Sequence, residues 1–307
     1  MRATGAAFSV LVHAIRAARA ALQWRLLLLW SGILLLPTAL LALPLWHVLG
    51  VSFDHSVHAA ALAQELDLST IADLLANIGR NGASVPSAAW HALIATLLLS
   101  PLLSGMAISA ARAAQPQGFG MLIGGAIEQY VRMARMLMLA LVPLGLALGL
   151  GAVLLAAADQ YGSAAQLESD ADGARLLALL GGLLLLMLAH ASLDAARAAL
   201  ALDRRRRSVV RAWWDGCTLL ARRPLATLGL YLAVTAAALM VASPLSLARI
   251  HLPPVSAAGF IGAFVLTQLI VMTFAWMRIA RLFAMVALAR SLRAPETSPL
   301  RAAISTN

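Results

Sequence analysis

"LLALLGGLLLLMLAHASLDAARAALALDRRRRSVVRAWWDGCTLLARRPLATLGLYL", Leu176 to Leu232, joins two apolar runs through a basic break. A helix rising about 1.5 Å per residue needs about 20 apolar residues to cross a hydrocarbon core of roughly 30 Å. Leu176 to Leu193 meets that need, and a second run starts at Leu225. Between them, Asp203 to Leu225 holds seven arginines together with Trp213 and Trp214. Basic runs with interleaved aromatics can bind nucleic acid. Here membrane runs fix both ends, which leaves no freedom to wrap a nucleic acid, so no nucleic-acid partner is expected. Arg204, Arg205, Arg206 and Arg207 read instead as a marker of the cytoplasmic side, each worth about 1 kcal/mol against an anionic leaflet. Trp213, Trp214, Arg222 and Arg223 read as headgroup contacts.

The rest of the chain fits the same class. Of 307 residues 62% are hydrophobic and 12% charged, with a mean hydropathy of +0.86. A soluble domain has about 45–50% apolar and about 25% charged content. The net charge of +10 comes from arginine alone, since all 23 basic residues are Arg. Without lysine there is no Schiff-base chemistry and no lysine for a phosphate-binding loop. Cys217 is the single cysteine and cannot form an intrachain disulfide.

Six spans are expected, at about 26–45, 89–111, 136–158, 176–193, 225–247 and 256–276. The first run, Leu26 to Leu45, exceeds a signal-peptide core of about 7–15 residues and is read as an uncleaved span. Internal prolines at Pro37, Pro101, Pro143 and Pro244 predict kinks without breaks. Placing both termini in the cytoplasm puts 20 arginines inside and only Arg80, Arg175 and Arg249 outside, as the positive-inside rule requires. Trp24, Trp30, Trp46, Trp90 and Trp276 fall near span ends, where an aromatic belt would lie.

Three segments share a plan, an Arg-bearing amphipathic helix leading into a membrane hairpin. They begin at "VLVHAIRAARAALQWRLLLLW", "IGGAIEQYVRMARMLMLALVPLG" and "SVVRAWWDGCTLLARRPLATLGLY", and Arg25, Arg135 and Arg223 close the three amphipathic pieces. The expected architecture is all-α: residues 1–25 as an interfacial helix, 26–285 as a membrane domain of three hairpins, each preceded by an interfacial helix, and 286–307 as a cytoplasmic tail. The outer loop 50–88 reads as two short amphipathic helices, with Thr70 and Asp73 at capping-box spacing and Gly79 or Gly82 as a stop.

His190, Asp194 and Arg197 fall within roughly 60° of one another on a helix, as a polar cluster where the fourth span leaves the membrane. It could hold a phosphate or gate a pathway; the plainer reading pairs Asp194 with Arg197 and bonds His190 to a neighbouring helix. His47, His55, His58 and His91, with Asp54, carry imidazoles and a carboxylate that suit Zn2+, but only His55 and His58 have a fixed spacing, and solvated histidines are the expectation. Ser100/Ser104, Gly105/Ser109 and Gly145/Gly149, each spaced by four, mark faces where helices approach closely, within the chain or in a homo-oligomer. Gln268, in the last span, is expected to hydrogen-bond a neighbouring helix. No H-E-x-x-H, G-x-S-x-G or strand-flanked G-x-G-x-x-G occurs. No carboxylate pair falls inside a span, which argues against a proton-coupled transporter using a buried acid; neither catalytic residues nor a cofactor are expected.

Leu193 to Leu232 resembles the conserved segment of a family of six-span bacterial membrane proteins, similar to the membrane domain that accompanies some bacterial glycerophosphodiester phosphodiesterases. Asp194 and Arg197 match its exit element, Asp203 its acidic turn, and Arg222, Arg223, Pro224, Gly229 and Tyr231 the start of its next span. The exit element here, "LDAAR", departs from the pattern in lacking an aromatic after the Asp. The resemblance covers about 40 residues and implies a multi-pass protein of the bacterial inner membrane with both termini inside. By extension from the neighbouring domain it implies a lipid-related role. The expected function is a non-enzymatic membrane component that scaffolds a complex or handles lipid or envelope material, with membrane lipids as partners. The alternative is the permease subunit of an ABC-type exporter, in which Ser208 to Arg223 would serve as the coupling helix for an ATPase subunit.

Overall fold

Pro224 decides one boundary by itself. Its ring disfavours helical backbone at Arg223, which adopts φ −137° and ψ 60° and serves both as the C-cap of one helix and the N-cap of the next. The Arg223 N–H donates to the Leu219 carbonyl at 3.0 Å, closing the first helix at its last turn.

The computed structural model describes residues 12, 15–53, 84–113, 115–164, 167–203, 208–252 and 256–293. Seven long helices follow in order: α1 (Trp24–Phe53), α2 (Ser84–Arg112), α3 (Phe119–Ala164), α4 (Glu168–Leu202), α5 (Val209–Arg222), α6 (Pro224–His251) and α7 (Ala257–Arg293). No strand occurs among the described residues. All but α5 are long and apolar enough to cross a membrane, and they cover the six expected apolar runs. The chain is therefore a multi-pass, all-helical membrane protein. Leu141, Val142, Leu148 and Val153 of α3 and Leu177, Leu183 and Leu184 of α4 are all at least half exposed. In water such faces would drive aggregation; in lipid they need no cover.

Helix interiors pass through Pro37, Pro44, Pro101, Pro143 and Pro244 without a break, as expected of membrane helices. The second expected interfacial helix is corrected: residues 119–135 are the beginning of α3, one helix of 46 residues. At about 1.5 Å per residue it runs about 69 Å, more than twice the core thickness of roughly 30 Å. No proline or cap signal separates Arg135 from the run that follows, whereas Pro224 stands in that place in the third segment. The first segment is helical over 15–20, then turns at Ala21 before α1 begins.

Consecutive helices are neighbours, but α2 packs on α3 as closely as it does on α1, so no set of three separate hairpins stands out. Helix α7 lies against α1, α2, α4 and α6, and every residue from Ile279 to Val286 is at most 9% exposed. A helix apolar on all sides is a buried helix. Alanines of α4, such as Ala191, Ala195, Ala196 and Ala198, let neighbours come close.

The polar ends of α4 are matched to its dipole. Glu168 and Asp170 stand in its first turn. At its last turn Arg112 donates from Nε to the Ala201 carbonyl (2.7 Å) and from Nη2 to that of Leu200 (2.8 Å), while Arg132 reaches the Asp203 carbonyl at 2.8 Å. Two guanidiniums thus satisfy carbonyls that a helix C-terminus leaves open.

Candidate functional site

Arginines gather where α4 and α7 finish and α6 begins, the end expected to be cytoplasmic. On α4, Arg197 Nη1 donates to Asp194 Oδ1 at 2.6 Å, with both side chains only 16% exposed. Their spacing of three puts them on one helical face. On α7, Arg281 is 8% exposed and donates from Nη1 to Tyr231 Oη (3.0 Å) and from Nη2 to Thr235 Oγ1 (2.5 Å) and Met277 Sδ (3.2 Å). Its guanidinium carbon stands 4.0 Å from the Tyr231 ring centroid. These partners are neutral dipoles and a π face. They satisfy hydrogens without cancelling the charge, and the buried Nε has no hydrogen-bond partner among the described residues. Among the described residues no carboxylate lies within ion-pairing distance of Arg281.

Arg278 precedes Arg281 by one turn, with its guanidinium carbon 6.0 Å from the Trp30 ring centroid. Arg278 itself is exposed, unlike Arg281. Asp194, Arg197, Arg281 and Tyr231 lie within its electrostatic reach. Three guanidiniums against one carboxylate leave two positive charges in excess. Tyr231 and Thr235 stand about 10 and 17 Å along α6 from Pro224 at 1.5 Å per residue, so the group reaches below the helix ends. An arginine at membrane depth costs about 2.5–3.5 kcal/mol on insertion scales. Such groups stay charged near neutrality and make no proton transfers. The arrangement is suited to holding an anion.

The expected cluster is thus only partly assembled. Asp194 and Arg197 pair, but among the described residues His190 bonds no neighbouring helix: its Nδ1 lies 2.9 Å from the Leu186 carbonyl of its own helix. Of the two tryptophans expected at the headgroups, Trp214 is 67% exposed, whereas Trp213 turns inward and donates from Nε1 to Ser192 Oγ of α4 at 3.2 Å. Gly216 permits that docking, because a Cβ there would stand 2.7 Å from the Ser192 carbonyl oxygen and 2.8 Å from the Ala196 nitrogen. Arg222 and Arg223 are exposed and line, with Asp215 and Thr218, a cavity of about 410 Å³ between α4, α5 and α7. Arg204, Arg205, Arg206 and Arg207 lie outside the described residues, as do Asp54, His55, His58 and the loop helices expected around Thr70 and Asp73. His47 and His91 are exposed, and no group of three His, Cys, Asp or Glu that could hold a metal occurs among the described residues.

Of the expected aromatic belt, Trp24, Trp46 and Trp90 face outward, while Trp30 is buried and Trp276 donates from Nε1 to the Ala18 carbonyl at 2.8 Å. Gly105 meets α3 at Ala126, as a small-residue contact should, whereas Gly145 and Gly149 face open space. Among the described residues Gln268 hydrogen-bonds no neighbouring helix, and it lines a cavity of about 540 Å³ between α1, α2 and α7.

Sequence reasoning missed Arg278 and Arg281 by ending the sixth span at Trp276. A signal was present: the apolar run resumes at "LFAMVAL", Leu282 to Leu288, so the two arginines interrupt a buried helix and do not flank it. Compared with protein-family models, curated proteins and solved structures, the chain finds no match.

Proposed function

We propose that the protein is a non-enzymatic component of the bacterial inner membrane that handles lipid or envelope material, within or beside a membrane complex. The observation that carries this reading is the buried guanidinium of Arg281, with no carboxylate among the described residues at ion-pairing distance and Arg278 one turn away, in a bundle whose outer faces are apolar. Buried charge is costly unless paired, and the abundant anions at this depth of a membrane are phosphate-bearing headgroups. The resemblance of Leu193 to Leu232 to a membrane domain that accompanies phosphodiesterases of glycerophosphodiesters points the same way.

A comparison of cells with and without the gene tests it. Phospholipid composition, leaflet distribution and detergent sensitivity should change on deletion; if all three stay as in the parent, lipid handling is wrong. The exporter alternative draws on α5, a discrete helix whose Val210 and Trp214 are exposed. Purification in mild detergent separates the two: a stoichiometric ATPase would favour the exporter, and its repeated absence would remove it.

A further inference from the structure

The cavity between α1, α2 and α7 is a groove with Ser31 in its wall, one residue from Trp30, whose ring Arg278 overlies. Along α1 it runs from Ser31 to Leu45, about 21 Å at 1.5 Å per residue, which exceeds the roughly 15 Å of one leaflet. Its volume of about 540 Å³ falls in the range of ligand sites, about 300–1,000 Å³. Three threonines line it, yet Thr38, Thr96 and Thr267 each donate their hydroxyl to a carbonyl four residues back in their own helix. Their hydrogen-bonding capacity is turned to the backbone, and apart from Gln268 and Ser31 the groove wall is effectively apolar.

The inner end differs. Ser31 is 7% exposed, lines the groove, and its Oγ has no hydrogen-bond partner. One residue earlier is Trp30, whose ring lies under Arg278. On α7, Gln268, Val271 and Arg278 fall on one stripe by helical spacing. A channel at least one leaflet long therefore has at its inner end a hydroxyl seeking a partner, next in sequence to the tryptophan that the exposed Arg278 overlies.

We infer that this groove and Arg278 hold one glycerophospholipid, its acyl chain between α1, α2 and α7 and its phosphate on Arg278, with Ser31 near the glycerol esters. This rests on the lipid-handling reading above and adds a site and a ligand class to it. The occupant is a lipid because one feature without the other would not select it. A free phosphate needs no groove, and a partner helix needs no guanidinium near its end. Arg281 is a positioning residue here, keeping the local charge positive from beneath.

Native mass spectrometry of the full chain, released from detergent micelles, tests the inference. Palmitoyl-oleoyl phosphatidylglycerol should form a one-to-one adduct that the matching diacylglycerol, lacking phosphate, does not. Arg278→Gln should weaken it about tenfold, the loss of one charge-assisted contact. Ala42→Phe, a substitution at an exposed groove position, should weaken the long-chain adduct but leave that of dihexanoyl phosphatidylglycerol unchanged. Thermal melting of each variant checks that it is folded. If the phosphatidylglycerol adduct is indifferent to both substitutions, the site is wrong. Displacement of the lipid by inorganic phosphate alone would assign Arg278 to a free anion. A dimer peak abolished by Ala42→Phe would assign the groove to a second copy. Failure here leaves lipid handling itself to the envelope comparison, which does not depend on this groove.

Discussion

Arg281 holds a charge with no carboxylate beside it, and a structural arginine would not be left so. Replacing a buried charge by an apolar chain of similar length is often neutral or stabilising. Arg281→Met should therefore keep or raise the melting temperature in lipid-free detergent, while lowering any anion response of the purified protein. A clear drop in melting temperature would mean that its bonds to Tyr231 and Thr235 hold the bundle together. Cys217 gives a second residue-scale check. Burial pushes its thiol up from the ordinary range, and a hydrogen bond with Ser192 draws it partly back. The thiolate is the attacking species, so alkylation of this sole cysteine should be slow near neutrality. It should rise only at a more alkaline pH than for a free thiol, and Ser192→Ala should move the rise further up. Rapid labelling at neutral pH would contradict this.

Helix α5 sits between two spans and is held by small contacts. Ser208 caps it, accepting the Arg211 N–H at 3.3 Å, and its inner face of Val209, Ala212 and Gly216 is buried. Gly216→Val would push a branched side chain into the backbone of α4 between Ser192 and Ala196. Overpacking of that kind costs about 1–3 kcal/mol. The expected outcome is a loosened α5, read as faster Cys217 alkylation with the bundle's melting temperature little changed. Unaltered labelling would show that α4 and α5 can separate without cost. The existence of α5 was legible from "RRPL", because a proline sets its own boundary. The continuity of α3 was not, since an amphipathic stretch reads alike whether it lies along a membrane or prolongs a span beyond it.

At the scale of the whole molecule, the distribution of arginines is the argument for both ends being cytoplasmic. Replacement of Arg204, Arg205, Arg206 and Arg207 by Ser removes the densest group of positive charges. Reporter fusions in the flanking loops should then show mixed orientation or poor insertion; unchanged topology would mean that the other inside arginines suffice. The six spans and their proline tolerance were written in local composition, because the bilayer makes the same demand of every crossing segment: about 20 apolar residues with all backbone groups bonded internally. Each of these properties belongs to a single stretch of chain. The candidate site belongs to no single stretch. Arg278 and Arg281 looked like basic residues flanking a span, and Gln268 looked like one half of an interhelical bond. Only packing could tell that α7 is buried past those arginines, that Tyr231 and Thr235 of α6 meet Arg281, and that Arg278 of α7 overlies Trp30 of α1. The physical reason is that burial and charge compensation depend on which helices become neighbours, and membrane helices of similar hydropathy carry little local information about whom they will touch.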